Sequence, residues 1–319
     1  MTKQRPPGIE PDYIEIELVV AREYAGWRAD RYVAQRIPRL SRTRVQRILK
    51  DLAFDEQGRR VKPNRQLRAK ERITIYKPLP DEPEVVRDFG VIHEDQWLIC
   101  VDKPAGLPVH PTARYFRNTL TSLLSERYGE NRPVLAHRLD SETSGVLLCA
   151  KDLPTERALK QMFARREVSK TYLAVARGVL EPPTGRIEAS IGSDPVSAIR
   201  VKMGCDVPAG LPALTNYRVL RPLDDRCLLE LSPRTGRQHQ LRVHLAHIGH
   251  PIVGDKMYGP DESLFLDYID EGPSPGIIER AGFPRQALHA ARLTFTHPHT
   301  GEPVEVESPL PDDIRSLLE

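Results

Sequence analysis

The chain has 319 residues, a length that at ~150 residues per domain favours two domains. Hydrophobic residues make up 39% and charged residues 29%, which excludes a globally disordered chain; no run approaches the ~18 consecutive apolar residues of a membrane span. Lys+Arg 47 against Asp+Glu 44 leaves a net charge of only +3, which excludes a uniformly basic nucleic-acid coat.

The opening MTKQRPPGIEPDYIEIE carries a Pro-Pro pair and no apolar stretch, so no secretory signal is expected there. The four cysteines (Cys100, Cys149, Cys205, Cys227) lie far apart without a CxxC pair, which reads as free thiols in a reducing, cytoplasmic setting. The mean charge hides an asymmetry. Residues 1–80 hold 19 Lys/Arg against 10 Asp/Glu, a local net of +9, which leaves −6 on the remainder. A basic first quarter on an acidic remainder suits an RNA- or DNA-contacting appendage attached to a separate body.

In chain order, RADRYVAQRI (28–37) places Ala29, Val33 and Ile37 on one stripe of a short helix closed by Pro38. Ser41 is positioned to cap a second helix, SRTRVQRILKDL, with Val45, Ile48, Leu49 and Leu52 as its buried stripe. Arg42, Arg44, Arg47 and Lys50 fall on its other positions. Such a basic face is either simply solvated or a phosphate-contacting surface that binds the backbone without reading sequence. ERITIYK alternates like a strand. This helix–helix–strand segment, roughly residues 22–77, resembles the small RNA-binding module named after a small-subunit ribosomal protein (the S-four type), with DEQGRRVKPNRQL in place of its short Asn-Gly turn.

KPLPDEPEVVRD, rich in prolines and acids, reads as an interdomain linker. The expected organisation is an N-terminal extension (1–21), a small basic RNA-binding module (22–77), a linker (78–88) and a catalytic domain (89–319). Beyond the linker, WLICVDKP, GVLLCAK, KTYLAVARG, TNYRVL and CLLELSP read as strands. TLTSLLSERYG, LPTERALKQMFARREV and QHQLRVHLAHIG read as helices, and 259–287 as a surface insertion. The mixture lacks regular β–α alternation, which predicts an α+β fold with a largely antiparallel sheet.

The segment AHRLDSETSGVLLCAK (136–151) packs a cation, a carboxylate and several hydroxyls into the approach to a buried strand. An acid that close to a core must be paired or solvated in a cleft; Asp140 is equally readable as a turn or cap residue. Ser141, Thr143 and Ser144 suggest a hydrolase, but no GxSxG elbow supports a serine nucleophile. His239, His244, His247 and His250 lack metal-site spacing and have no acid among them, so no metal is expected. Gly236 and Arg237 suit either a phosphate-binding turn or a structural one.

HRLDSETSG, KTYLAVARG and SPRTGRQHQLRVHLAHIGHPIVGDKMYG, preceded by DKPAGLPVHPT and followed by ALHAARLTFTHP, resemble in order the RluA family of RNA pseudouridine synthases, over roughly residues 90–305. The resemblance implies a pseudouridine synthase fold and an RNA-isomerising activity without cofactor or metal. It implies Asp140 as the essential aspartate and Arg138 as the arginine that enters the space left by a flipped base. It also implies Tyr172 as the tyrosine stacked on that base and Arg242 as the partner of the carboxylate. Read alone, Tyr172 is a half-buried strand aromatic, Arg242 a surface ion pair and Arg138 the partner of a nearby acid.

The reaction breaks a nitrogen–carbon glycosidic bond, turns the uracil over and rejoins it through carbon, so the base must be extruded and held. One ionised carboxylate acts either as nucleophile at the sugar or as base on a sugar proton, with an arginine keeping it ionised. The expected substrate is large-subunit ribosomal RNA, with transfer RNA second, handled by a monomer without membrane association. The competing class is a non-catalytic RNA-binding assembly factor on the same fold; an RNA hydrolase using Asp140 with a histidine is a third reading.

Overall fold

The computed structural model describes every residue except 1–4, 11–12, 38–41, 79–81, 113 and 260, together with the side chain of Arg42. The expected helix stop at Pro38 and cap at Ser41 lie outside the described residues. The chain divides into two compact units, Met1–Glu82 and Pro83–Glu319.

The first unit carries β1 (Ile14–Val19), α1 (Ala29–Arg36), α2 (Arg42–Leu52), β2 (Ala53–Asp55) and β3 (Arg72–Lys77). Its sheet runs β1-β3-β2, antiparallel throughout. Ala29, Tyr32 and Val33 of α1 meet Val45 and Leu49 of α2 over Ile73 and Ile75 of β3. This is the core that the two helical stripes predict, with Ile37 and Ile48 at its margin and with the expected Leu52 only half-buried and outside it. The turn after β2 is organised by buried Asp55, which accepts the Gln57 and Arg59 amides at 3.1 and 2.9 Å and pairs with Arg59 and Arg65.

The second unit contains β4 (Gly90–Glu94), β5 (Leu98–Lys103), α3 (Leu120–Tyr128), β6 (Val134–Leu135), β7 (Ser144–Ala150), α4 (Leu153–Ala164) and β8 (Ser169–Arg177). There follow β9 (Thr184–Glu188), β10 (Ile191–Ser193), β11 (Met203–Cys205), β12 (Leu214–Pro222), β13 (Arg226–Pro233) and α5 (Gln240–His247). The chain ends with α6 (Ser263–Glu271), α7 (Pro275–Ala281), β14 (Leu288–Thr296), β15 (Pro303–Glu307) and α8 (Asp312–Arg315). Among the described residues, ten strands form one sheet along the path β4-β5-β7-β14-β8-β13-β12-β9, with β15 on β14 and β6 on β7. Among the described residues every pairing in it is antiparallel except β7 with β14. The fold is α+β with a largely antiparallel sheet, as the sequence predicts.

Strand β7 is buried along its whole length. Its odd residues Leu147 and Cys149 pack with Leu120, Leu123 and Leu124 of α3, while Val146, Leu148 and Ala150 face Leu159 of α4. That alternation explains why the sequence reads as a continuous apolar run. Helix α3 is capped by Thr119, which accepts the Ser122 amide, and α4 by Asp152, which accepts the Thr155 amide at 2.7 Å. Helix α4 stops at Ala164 rather than running to Val168, because Arg166 turns left-handed (φ 63°) and Glu167 N closes on Met162 O. The second half of the expected linker lies on α3: Asn118 Nδ2 donates to Pro83 O at 2.9 Å and Arg87 pairs with Glu126. The 259–287 segment forms α6 and α7, which share a small core of Leu264, Ile277 and Ala281. All four cysteines are free thiols. No helix among the described residues is long and apolar enough to cross a membrane.

Candidate active site

The parallel pair β7–β14 determines where the site forms. Two strands that run the same way bring their N-terminal ends together, so the loop before β7 (Asp140 to Thr143) meets the loop before β14 (Arg285 to Ala287). Gly145 makes the approach feasible. Its φ is +109°, and a Cβ there would lie 2.2 Å from Ala290 O. Across the two loops, Gln286 Nε2 donates to Thr143 Oγ1 at 2.6 Å and Gln286 N to Glu142 Oε2 at 2.9 Å. Lys256 Nζ bridges Glu142 Oε1 (2.9 Å) and Pro284 O (2.8 Å). From below, fully buried Lys103 at the end of β5 donates to Pro104 O, Leu107 O and Ser141 O at 2.8 to 2.9 Å. Burial, with Arg285 nearby, draws its pKa down to about 7.

Helix α5 supplies the opposing charge. Arg242 Nε and Nη2 fork onto Asp255 Oδ2 and Oδ1 at 2.6 and 2.9 Å, and Nη1 donates to Asp140 Oδ2 at 2.8 Å. Asp255 is itself saturated, accepting the Met257 and Tyr258 amides at 3.0 Å each. Its loop depends on Gly254 (φ +79°), where a Cβ would lie 1.9 Å from Arg285 O. Burial pushes the Asp140 carboxyl up, but Arg242, His239 and Gln286 together, Arg242 first among them, more than offset it and hold it below the usual carboxylate range. His239 starts α5 in the left-handed region (φ 55°), with Nδ1 on Tyr258 Oη at 2.9 Å and Nε2 4.0 Å from Asp140. Burial and then Arg242 pull its pKa to about 4, so the ring is neutral at pH 7.

Asp140, His239 and Arg242 line a cleft of about 910 Å³ together with Arg138, Tyr172 of β8, Lys170, Arg166, Arg234 and Arg237. Tyr172 sits in sheet register opposite Leu231 and Ala290, and its hydroxyl pKa is raised by burial and by Asp140. Arg138 is exposed and lines the cleft without a carboxylate partner among the described residues. The structure therefore brings together Asp140, Arg138, Tyr172 and Arg242. On α2 of the other unit, Arg44, Arg47 and Lys50 are exposed while Val45 and Leu49 are buried; the Arg42 side chain lies outside the described residues.

The other candidates separate from this centre. Ser144 Oγ does meet a histidine, His289 Nδ1 at 2.9 Å, but the pair is buried and His289 Nε2 is spent on Ser308 O. His244 bonds Thr215 and Ala189 O, and His250 bonds Arg177 O, each apart from His239. The Gly236–Arg237 turn is closed internally: Gln240 Oε1 accepts from Arg237 N and Thr235 Oγ1. Sequence reasoning missed Lys103, Asp255 and Gln286. The available signal for Lys103 was a lysine closing a strand that opens on the apolar run LICV, and for Asp255 an acid in the GDKMYG stretch that follows α5. Gln286 carries no local signal.

Residues 97–247 match the family described as RNA pseudouridylate synthase. The chain is 38% identical over 311 residues to a ribosomal large subunit pseudouridine synthase D of Neisseria meningitidis, spanning 95% of this chain and 81% of that one. It is 34% identical over 315 residues to an uncharacterized RNA pseudouridine synthase of Bacillus subtilis, spanning 96% and 97%. Among solved structures, human RNA pseudouridylate synthase domain containing 1 superposes with a TM-score of 0.56 at 29% identity, over 72% of this chain and 86% of that one. Human RNA pseudouridylate synthase domain containing 4 gives 0.54 at 30%, over 70% and 88%. An ionised aspartate paired to a buried arginine, on a fold shared with these proteins, belongs to a chain of the RNA pseudouridylate synthase family.

Proposed function

We propose that this enzyme isomerises uridines of large-subunit ribosomal RNA, working as a cytoplasmic monomer with Asp140 as its catalytic carboxylate. The observation that carries the reading is the Asp140–Arg242–Asp255 array, which keeps one carboxylate ionised inside a cationic cleft. An ionised Asp140 is what either route at the ribose demands, attack on the sugar carbon or removal of a sugar proton. Tyr172 stacks on the extruded base, a contact of ~1–3 kcal/mol that needs no particular sequence. Arg138 enters the vacated position and offsets part of the few kcal/mol that extrusion costs. The ribosomal target is supported by the names of relatives such as the Neisseria protein. Docking of the RNA is assigned to the basic first unit, an S-four-type module over 22–77, with Arg42, Arg44, Arg47 and Lys50 as phosphate contacts.

The test is to incubate the protein with an unmodified large-subunit RNA transcript and to map pseudouridine chemically. Wild type is expected to convert specific uridines with no change in RNA mass. Asp140→Asn is expected to bind the transcript and yield no product; undiminished conversion by that variant removes the catalytic assignment.

A further inference from the structure

A second cleft, of about 850 Å³, adjoins the first, and His137 and Arg138 line both. Its walls come from His110, Pro111 and Phe116, from α3, from the approach to β6, and from α4, which contributes Lys160 here and Phe163 to the first cleft. His137 forms part of the partition. Its Nε2 accepts the Leu148 amide at 3.0 Å and its ring packs 4.8 Å from Phe163, so burial leaves it neutral.

Phe116 is a large apolar side chain left 40% exposed on this wall, beside His110, whose pKa is lowered by burial and then by Arg138. An aromatic face and an uncharged imidazole face suit stacking by any base. Arg132 supplies an exposed cation at the same wall, and Lys160, also exposed, reaches it while paired with Glu156 one turn earlier on α4. The carboxylate of the lining, Glu126, is held by Arg87 at 2.7 and 2.9 Å, so its charge is answered from outside the cleft. Stacking faces and cations in one lining, sharing His137 and Arg138 with the cleft assigned to the extruded base, describe a path for a single strand rather than a pocket for a small molecule.

We propose that this second cleft is a subsite for single-stranded RNA, holding nucleotides that flank the target uridine, with Phe116 as a stacking platform and Arg132 and Lys160 as phosphate contacts. The proposal rests on the reading of the first cleft as the uridine site. Arg138 then stands where the strand divides, with the extruded base on one side and the flanking nucleotides on the other.

The experiment measures kcat, KM and the salt dependence of binding for the full chain on an unmodified large-subunit RNA transcript. It compares wild type, Phe116→Ala and Arg132→Gln. Both side chains are exposed, so neither substitution opens the core. Phe116→Ala is expected to raise KM roughly 5- to 150-fold, the loss of one stacked base, with kcat kept at saturating RNA. Arg132→Gln is expected to flatten the log–log salt slope by about 0.7, one single-strand phosphate contact. Wild-type KM and slope in both variants overturn the subsite. Should wild type form no pseudouridine, the reading of the first cleft fails by itself. The second cleft is then judged by direct binding of labelled hexauridylate: weakening by both substitutions upholds it, and wild-type affinity in both overturns it.

Discussion

Left to itself, a carboxylate beside a buried strand and a tyrosine takes up a proton, because burial penalises its charged form. Asp140 escapes this through Arg242, and Arg242 tolerates its own burial because Asp255 answers two of its nitrogens. The arrangement is a buried ionic triad with a net charge of −1, in which removing the central cation strands two acids at once. Arg242→Met is therefore expected to cost ~3–5 kcal/mol of stability and most of the activity. The sign with pH follows from the lowered pKa values of Asp140 and Asp255. Their pairing stabilises fully above the ordinary carboxylate range of about 4 and is lost as pH falls through the lower folded values. In Arg242→Met the acid-unfolding midpoint and the acidic limb of kcat should both move to higher pH. Circular dichroism and single-turnover rates across pH 3–7 read the two shifts, and a variant that unfolds at the wild-type pH would show that the triad holds nothing. His239, drawn down to about 4, should add no limb near its ordinary ~6.5.

Elements carry the site in a way the sequence only partly discloses. Asp140, Arg138, Tyr172 and Arg242 were legible because each lies within a short contiguous motif. The strand β7 was legible as an unbroken apolar run, and α3 as a periodic stretch. The partner Gln286 was not, since it reaches the 140–144 loop through hydrogen bonds across the sheet that no local pattern records. The early end of α4 was also hidden. Ala-Arg-Arg-Glu favours helix by propensity, and the left-handed turn at Arg166 occurs without the usual glycine. Gly145 shows the reverse, a residue unremarkable in sequence on which a strand pairing depends. With φ +109° and Ala290 O 2.2 Å from the place a methyl group would occupy, Gly145→Ala must push β14 away from β7. The expected result is a loss of at least ~2–3 kcal/mol, from backbone strain together with displaced packing. Gln286 would move off Thr143, so kcat should fall even in the folded fraction. Thermal melts paired with active-site titration separate the two losses; wild-type melting would mean the parallel register is not what that glycine protects.

At the scale of the whole molecule, charge is sorted twice. The first division lies along the chain, +9 over residues 1–80 and −6 beyond. The second lies within the acidic remainder, whose main cleft is lined by six Lys/Arg and one carboxylate. The acids sit elsewhere, as at Asp261 and Asp267, where Arg280 pairs with them. A low net charge thus coexists with two cationic surfaces, one per unit, and long-range attraction of a polyanion depends on such local fields. The two surfaces are separable by their salt signatures. Neutralising Arg44, Arg47 and Lys50 on the exposed side of α2 removes charge without touching Val45 or Leu49, so the first unit should keep its fold. Each lost phosphate contact lowers the log–log salt slope by ~0.7–0.9, so the triple substitution should flatten it by roughly 2 to 3. Because those residues are far in sequence from Asp140 and its partners, kcat at saturating RNA should stay at the wild-type value while KM rises at physiological salt. Titrating a ribosomal RNA transcript at several salt concentrations, with turnover measured on the same samples, checks both parts. An unchanged slope would assign the basic face of α2 to solvent and leave the cleft alone to hold the RNA.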